Sequence, residues 1–280
     1  MNGCLLPLIV EGKDVYNPTP PFTIGGRELV AARVESRENE RGSKVVFFEK
    51  IGDGWKVVLD YPVFDMQDPF VTTIDGKLVF GGVQVDWKSG IYTTVFYVGE
   101  DINNLKHLTG GPKGMKDIRL VQMGDGKVGV FTRPQGEVDG LGRIGFTTID
   151  KLAGLNAGVI EKATLIKDQF KKNQWGGVNQ ALLLANGKIG VLGHVAEFDT
   201  NKGKRYSAMS FVFDPVSGGS TPMKVIATRE NFPDTPAKRL DLKQVVFPGG
   251  LVLNGAGIAD LYVGLSDAKI GQLKIKNPFV

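Results

Sequence analysis

The chain has 280 residues, a net charge of +4 and one cysteine, Cys4, with 42% apolar and 23% charged residues. This composition is that of an ordinary globular protein. It excludes an intrachain disulfide and fits a reducing compartment, read here as the cytoplasm. The basic residues are scattered, so no nucleic-acid stripe is expected.

The run "CLLPLIV" (4–10) is broken by Pro7 and has no basic segment before it. It is too short to span a membrane and reads as an early strand. Five hairpin signals follow. "FTIGGRELVAARVE" turns at Gly26, "VTTIDGKLVFGGV" at Gly76 and "VQMGDGKVGVFTR" at Gly126. "LLLANGKIGVLGH" turns at Gly187 and "LVLNGAGIADLYVG" at Gly255. Gly-Gly, Asp-Gly and Asn-Gly tolerate the positive φ of tight β-turns, and each is flanked by apolar or β-branched runs. The spacings are 50, 50, 61 and 68 residues, and three or four strands with their turns fill about 40–50, as in one propeller blade. The expected fold is all-β: a single-domain, five-bladed β-propeller over residues 1–280. A β-sandwich or two small β domains is the alternative. Residues 159–172 fit a helix poorly. The final run "KIGQLKIK" (269–276) is expected to pair with the N-terminal strand and close the ring, since an unpaired edge is a liability.

Each entering strand opens eight to ten residues before its glycine, at Asn17, Asp68, Asp117, Gly177 and Val245. Each leaving strand ends seven residues after it, at Arg33, Val83, Arg133, His194 and Tyr262. An antiparallel hairpin brings these two ends to the same edge, so similarly oriented blades would gather them on one rim. Glu35, Lys172 and Glu197 lie nearby in sequence. Carboxylates and cations on one concave rim suit a polar ligand. Loop polar residues or structural ion pairs are the plainer account of any one of them. Tyr16, Tyr61, Trp87, Trp175 and Tyr262 fall near strand ends, where an aromatic face suits a sugar ring, or else packs between blades. Two histidines and one cysteine do not make an ordinary zinc site, so no metal is expected. His107 reads as a surface-loop residue.

"YNPTPPFTIGGRELVAARVESRENERGSKVVFFEKIGDGW" resembles the first blade of the β-mannoside phosphorylases of glycoside hydrolase family 130. "QDPFV" is similar to that family's Glu-Asp-Pro-Arg motif, and "KDIRLVQMGDGKVGVFTRPQG" to its His-Arg-Pro blade. "WGGVNQALLLANGKIGVLGHV" resembles the strand leading to Tyr-His-Gly, and "VVFPGGLVLNGAGIADLYVGLSDAKIG" the final blade. The short length fits best a related group, the β-1,2-mannosyltransferase/phosphorylase family (glycosyltransferase family 108). That resemblance implies a five-bladed propeller that transfers mannose from GDP-mannose or cleaves β-1,2-mannan with phosphate. It implies Asp68 as general acid/base, Arg133, His194 and Lys172 as phosphate-binding cations, and Asn17, Arg33, Asp117 and Asp267 around the sugar. Tyr262 joins this substrate set from its place on the rim. Phe70, Gln67, Thr132 and Gly193 depart from the family pattern.

Phosphorolysis needs one acid for the leaving oxygen and phosphate on the opposite face, with no second catalytic carboxylate. Arg133 could grip phosphate bidentately, and Lys172 or Lys116 could add a point charge. The expected function is an inverting β-1,2-mannooligosaccharide phosphorylase that releases mannose 1-phosphate. Reverse synthesis and GDP-mannose-dependent transfer are further activities of the same site. Its partners are the oligosaccharide and phosphate, with no cofactor, nucleic acid or membrane. An inverting β-mannoside hydrolase would need a base such as Glu35, Asp117 or Glu197. A non-catalytic glycan-binding propeller would bind without turnover.

Overall fold

The computed structural model describes residues 2–135, 140–200 and 203–280, and among these the chain is nearly all strand. Strand β1 (Cys4–Leu5) precedes five antiparallel units. In the first, β2 (Asp14–Tyr16) and β3 (Phe22–Ile24) both pair with β4 (Arg27–Ser36), which is followed by β5 (Asn39–Ile51) and β6 (Gly54–Val57). The second is β7 (Gln67–Ile74), β8 (Lys77–Asp86), β9 (Ile91–Gly99) and β10 (Lys106–Gly110). The third begins with β11 (Arg119–Gln122), β12 (Val128–Thr132) and β13 (Gly145–Ile149). It then passes through a short helix, α1 (Ala157–Glu161), to β14 (Thr164–Leu165). β15 (Trp175–Leu183), β16 (Ile189–Phe198), β17 (Lys204–Phe213) and β18 (Lys224–Ala227) make the fourth. The fifth is β19 (Gln244–Asn254), β20 (Ile258–Leu265) and β21 (Lys269–Lys276), completed by β1.

The pairing of the chain ends expected from sequence is present, at Cys4↔Gln272 and Leu5↔Gly271. A short parallel contact between β17 and β19 joins the fourth and fifth units into one sheet. Helix α1 overlaps only the start of the 159–172 stretch. It forms because Asn156 caps it, its Oδ1 accepting from Val159 N at 3.1 Å. His107 lies on edge strand β10 rather than in a loop, and is exposed. No helix among the described residues is long and apolar enough to cross a membrane.

The hairpin turns follow from their dipeptides. Gly25 and Gly26 (φ 56° and 78°), like Asp75 and Gly76 (φ 49° and 74°), place both central residues at positive φ, as a two-residue hairpin requires. The fifth turn corrects the sequence reading. Asn254 pairs with Ile258 around a three-residue loop, and its left-handed residue is Gly257 (φ 71°), not Gly255.

Apolar residues gather between units rather than at the centre. Phe47 and Val45 of the first unit meet Phe80 and Val95 of the second. Ile74 and Phe96 meet Leu120 and Val130, and Phe131 meets Val178 and Phe211. Leu192 and Ala208 meet Leu251 and Leu261, and Ile270 meets Val30 and Phe48. A fully buried phenylalanine such as Phe80 contributes about 1.5–3 kcal/mol by leaving water. The opening strands β7, β11, β15 and β19 approach one another in turn.

Candidate functional site

Four polar residues around this centre have a left-handed backbone: Asn17 (φ 47°), Asp68 (φ 49°), Asp117 (φ 59°) and Asp267 (φ 52°). Among residues with a side chain, Asn and Asp tolerate this region best. In β7 the turn coincides with a bulge. Gln67 pairs with Val83 and Phe70 with Gly81, which leaves Asp68 and Pro69 without ladder partners. A bulge bends its strand and re-aims a side chain. β15 is irregular in the same way around Asn179, and β19 around Gly249. A Cβ on Gly249 would lie 1.8 Å from the Pro18 carbonyl oxygen, so glycine is required where the first and fifth units meet.

Asp68 is gripped on one oxygen. Asn17 Nδ2 donates to Oδ1 at 2.7 Å, and Arg33 NH1 donates to the same atom at 3.3 Å. Oδ2 accepts no hydrogen bond among the described residues. Arg33 is itself oriented from behind, with Nε and NH2 at 3.0 and 2.9 Å from Glu35 Oε2. The buried Glu35 also accepts from Tyr16 Oη at 2.5 Å, from Ser43 Oγ and from Lys238 Nζ. Burial alone would raise the Glu35 pKa, but the Arg33 charge and these donors hold it below the ordinary carboxylate range.

Asp117 occupies the matching position of the third unit, in other surroundings. It is 1% exposed, and neither carboxylate oxygen accepts a hydrogen bond among the described residues. Arg133 Nε stands 3.4 Å from Oδ2 but donates to the Gly176 carbonyl at 2.8 Å. His194 Nε2 is 3.9 Å from the same oxygen, and its Nδ1 is 2.8 Å from Asn179 Oδ1. Burial disfavours the Asp117 charge, yet Arg133, then His194 and Lys116, shift its pKa downward. Burial drives the His194 pKa down to about 3, against the pull of Asp117. The imidazole is therefore neutral near pH 7 and offers hydrogen bonds, not the cationic charge that the sequence suggested.

Asp68, Arg33 and Asn17 line a cavity of about 230 Å³ together with Asp267, Lys116 and Lys204. Lys116 and Lys204 form no ion pair among the described residues. Gln67, Tyr206, Phe247 and the Arg239–Glu40 pair (2.9 Å) also line it, with Leu242 and Val245. Burial pushes the Asp267 pKa up to about 6; Arg33 opposes that shift and the Asp68 charge adds to it. A larger hollow of about 340 Å³ opens further along β7, β15 and β19, and has Arg119 but no carboxylate in its lining. Size therefore does not select the chemical site. No group of three His, Cys, Asp or Glu side chains among the described residues is placed to hold a metal.

The structure thus brings Asn17, Arg33, Asp68 and Asp267 to one cavity, and sets Asp117, Arg133 and His194 in a buried cluster that adjoins it through Lys116. It corrects two positions. Lys172 is exposed in the turn before β15 and does not line the cavity. Tyr262 is buried within β20, where its hydroxyl accepts from Gln272 Nε2 at 3.2 Å. Counted from the true turn residue, Gly257, the rim position is Gly264. A Cβ there would lie 1.9 Å from Asn17 Oδ1. Of the five aromatic residues, Tyr16, Tyr61, Trp175 and Tyr262 are buried; Trp87 is 40% exposed. Sequence reasoning missed Lys204, Lys238, Arg239, Glu40 and Tyr206, which no hairpin phase marks.

A family model described as "Protein of unknown function (DUF1861)" matches residues 6–280. No curated protein matches the chain. Among solved structures it resembles MPT-4, a mannose phosphorylase from Leishmania mexicana solved with a phosphate ion. The identity is 36%, the match covers 99% of this chain and 89% of that one, and the TM-score is 0.92. MPT-1, a GDP-Man-dependent mannosyltransferase from the same organism, matches at 36% identity, with 99% and 90% coverage and a TM-score of 0.91. The β-1,2-mannobiose phosphorylase of Listeria innocua shares the fold at 15% identity, with 97% and 93% coverage and a TM-score of 0.66. The chain belongs to the DUF1861 family and to the mannosyltransferase/phosphorylase family of the Leishmania enzymes.

Proposed function

We propose that the protein is an inverting phosphorylase of β-1,2-linked mannooligosaccharides that releases mannose 1-phosphate. The observation that carries this reading is a cavity shared by the half-gripped carboxyl of Asp68 and two cations that form no ion pair among the described residues, Lys116 and Lys204. In the reaction, Asp68 gives its proton to the leaving glycosidic oxygen as the bond from that oxygen to the mannosyl C1 breaks. A phosphate oxygen bonds to C1 from the opposite face, inverting its configuration. Lys116 and Lys204 hold the phosphate charge, the part that the family resemblance implies for Lys172. Arg133 stands against Asp117, the residue after Lys116, and His194 contributes as a neutral ring. Asn17, Arg33 and Asp267 hold the sugar.

The fold that supports this reading is a five-bladed propeller in a single domain of residues 1–280. Its support is five strand units with apolar cores between successive neighbours and between the last and the first. Reverse synthesis and transfer from GDP-mannose belong to the same proposal, by likeness to the two Leishmania enzymes. Phosphate is a co-substrate, and no cofactor is invoked. The single cysteine supports a cytoplasmic site of action.

One observation favours a second reading. Asp267 shares the cavity with Asp68, and its pKa of about 6 suits a general base, so a hydrolase could be built from the pair. The other base candidates fit less well. Glu35 is saturated with donors, Asp117 is buried, and Glu197 accepts from Gln174 outside the cavity. Incubation with β-1,2-mannooligosaccharides, with and without inorganic phosphate, separates the two. Mannose 1-phosphate formed only with phosphate is the expected result. Free mannose regardless of phosphate would transfer the site to hydrolysis, and binding without any product would leave a glycan-binding protein.

A further inference from the structure

The Asp68 cavity, at about 230 Å³, is small for an oligosaccharide. Gln67, the residue before the acid, also lines a second hollow of about 290 Å³, between β5 and β8. Gln67 therefore stands between the two spaces, next to Asp68 in the chain. Its Nε2 donates to Ser43 Oγ at 3.3 Å. The second hollow is lined by Arg41, by the Lys44–Asp65 pair and by Trp87.

Trp87 is the most exposed tryptophan and sits in the β8–β9 turn. No ring or cation stacks on it among the described residues. An indole held in a turn, 40% exposed at the edge of a polar groove, offers an apolar face with a hydrogen-bonding tip. Arg41 is exposed and forms no ion pair among the described residues. An apolar platform with a few convergent polar groups is what a sugar ring needs.

We propose that the Gln67–Trp87 groove is the subsite for the leaving-group end of the oligosaccharide, with Trp87 as its stacking platform. The inference rests on the phosphorylase reading and gives it a direction. The mannosyl unit to be transferred sits in the Asp68 cavity, and the rest of the chain runs past Gln67 toward Trp87. Bond cleavage then falls at Gln67–Asp68, beside the acid. In the synthetic direction the same groove holds the acceptor.

The test combines turnover and binding with β-1,2-linked di-, tri- and tetrasaccharides, for the wild type, Trp87→Ala and Trp87→Phe. Asp68→Asn and Asp68→Asn/Trp87→Ala serve for binding by calorimetry. The expected result is a KM for the tetrasaccharide raised about tenfold in Trp87→Ala, with partial recovery in Trp87→Phe and a change of no more than about threefold for the disaccharide. The proposal is overturned if Trp87→Ala leaves the chain-length profile unchanged while mannose 1-phosphate still forms; the phosphorylase reading would then survive alone. If no product forms but length-dependent binding is lost with Trp87, the groove stands and the reaction is wrong. Binding of GDP but of no oligosaccharide at Trp87, or no binding of either, would overturn the groove.

Discussion

Asp68 and Asp117 hold equivalent places in consecutive units, and their difference shows what the repeat does and does not decide. Each opens the strand entering a hairpin, each has a left-handed backbone, and each faces an arginine from the strand that leaves. Asp68 is 12% exposed, gripped on one oxygen and open to a cavity on the other side. Asp117 is sealed and pairs with Arg133, and neither of its oxygens accepts a hydrogen bond among the described residues. The repeat sets position, while the neighbours set chemistry. A carboxyl that must give up and regain a proton needs the first environment. The second suits a fixed negative charge that holds Arg133 and faces the neutral His194.

The largest effect that could break this comparison is on stability. Arg133→Met leaves Asp117 buried with no hydrogen bond among the described residues, a neutral imidazole nearby and only the weaker influence of Lys116 and Arg119, and should cost about 3–5 kcal/mol. Arg33→Met should cost less, about 1–3 kcal/mol, because Glu35 keeps Lys238, Tyr16 and Ser43 and Asp68 keeps Asn17. Urea denaturation of both variants checks the order, and a reversal would mean that the Asp117 cluster is better solvated than its geometry indicates.

Next in size is substrate binding. Lys204→Ala and Lys116→Ala should each raise the KM for phosphate about tenfold, the loss of one charge-assisted contact. Lys172→Ala should leave it unchanged, since that side chain is exposed and away from the cavity. Initial rates at varied phosphate measure all three.

The smallest effect concerns Asp267. Its folded pKa, about 6, lies above the value of about 3.8 expected when unfolded, so the native state binds the extra proton between those pH values. Stability from this group is present at low pH and declines as pH rises through that window. Asp267→Asn should therefore stabilise the protein at pH 7.5 by on the order of 1–2 kcal/mol, less than the roughly 3 kcal/mol equivalent of the whole shift because the buried amide also loses its hydration, with the gain vanishing near pH 4. Thermal melts at the two pH values read it directly. Activity should fall in the same variant, the usual trade at a strained site.

Much of this was legible in the sequence because hairpins are local. Gly26, Gly76, Gly126 and Gly187 carry positive φ, and counting from them finds Arg33, Asp68, Asp117, Arg133 and His194. Tyr262 was misplaced because the last loop has three residues, which moves the left-handed position to Gly257. Lys238 and Arg239 escaped notice because they come from the segment between units. Lys238 meets Glu35 across 203 residues of sequence, and no periodicity marks such a contact. The neutrality of His194 depends on burial, which one-dimensional spacing does not carry.

The central claim is that Asp68, not Asp117, is the acid. It is tested most directly by the initial rate of mannose 1-phosphate release from β-1,2-mannobiose and phosphate, in Asp68→Asn and Asp117→Asn side by side, at a temperature where both are folded. The account predicts a loss of about 10²–10⁴-fold for Asp68→Asn and no more than about tenfold for Asp117→Asn. Full turnover by Asp68→Asn, or the greater loss in Asp117→Asn, would contradict it.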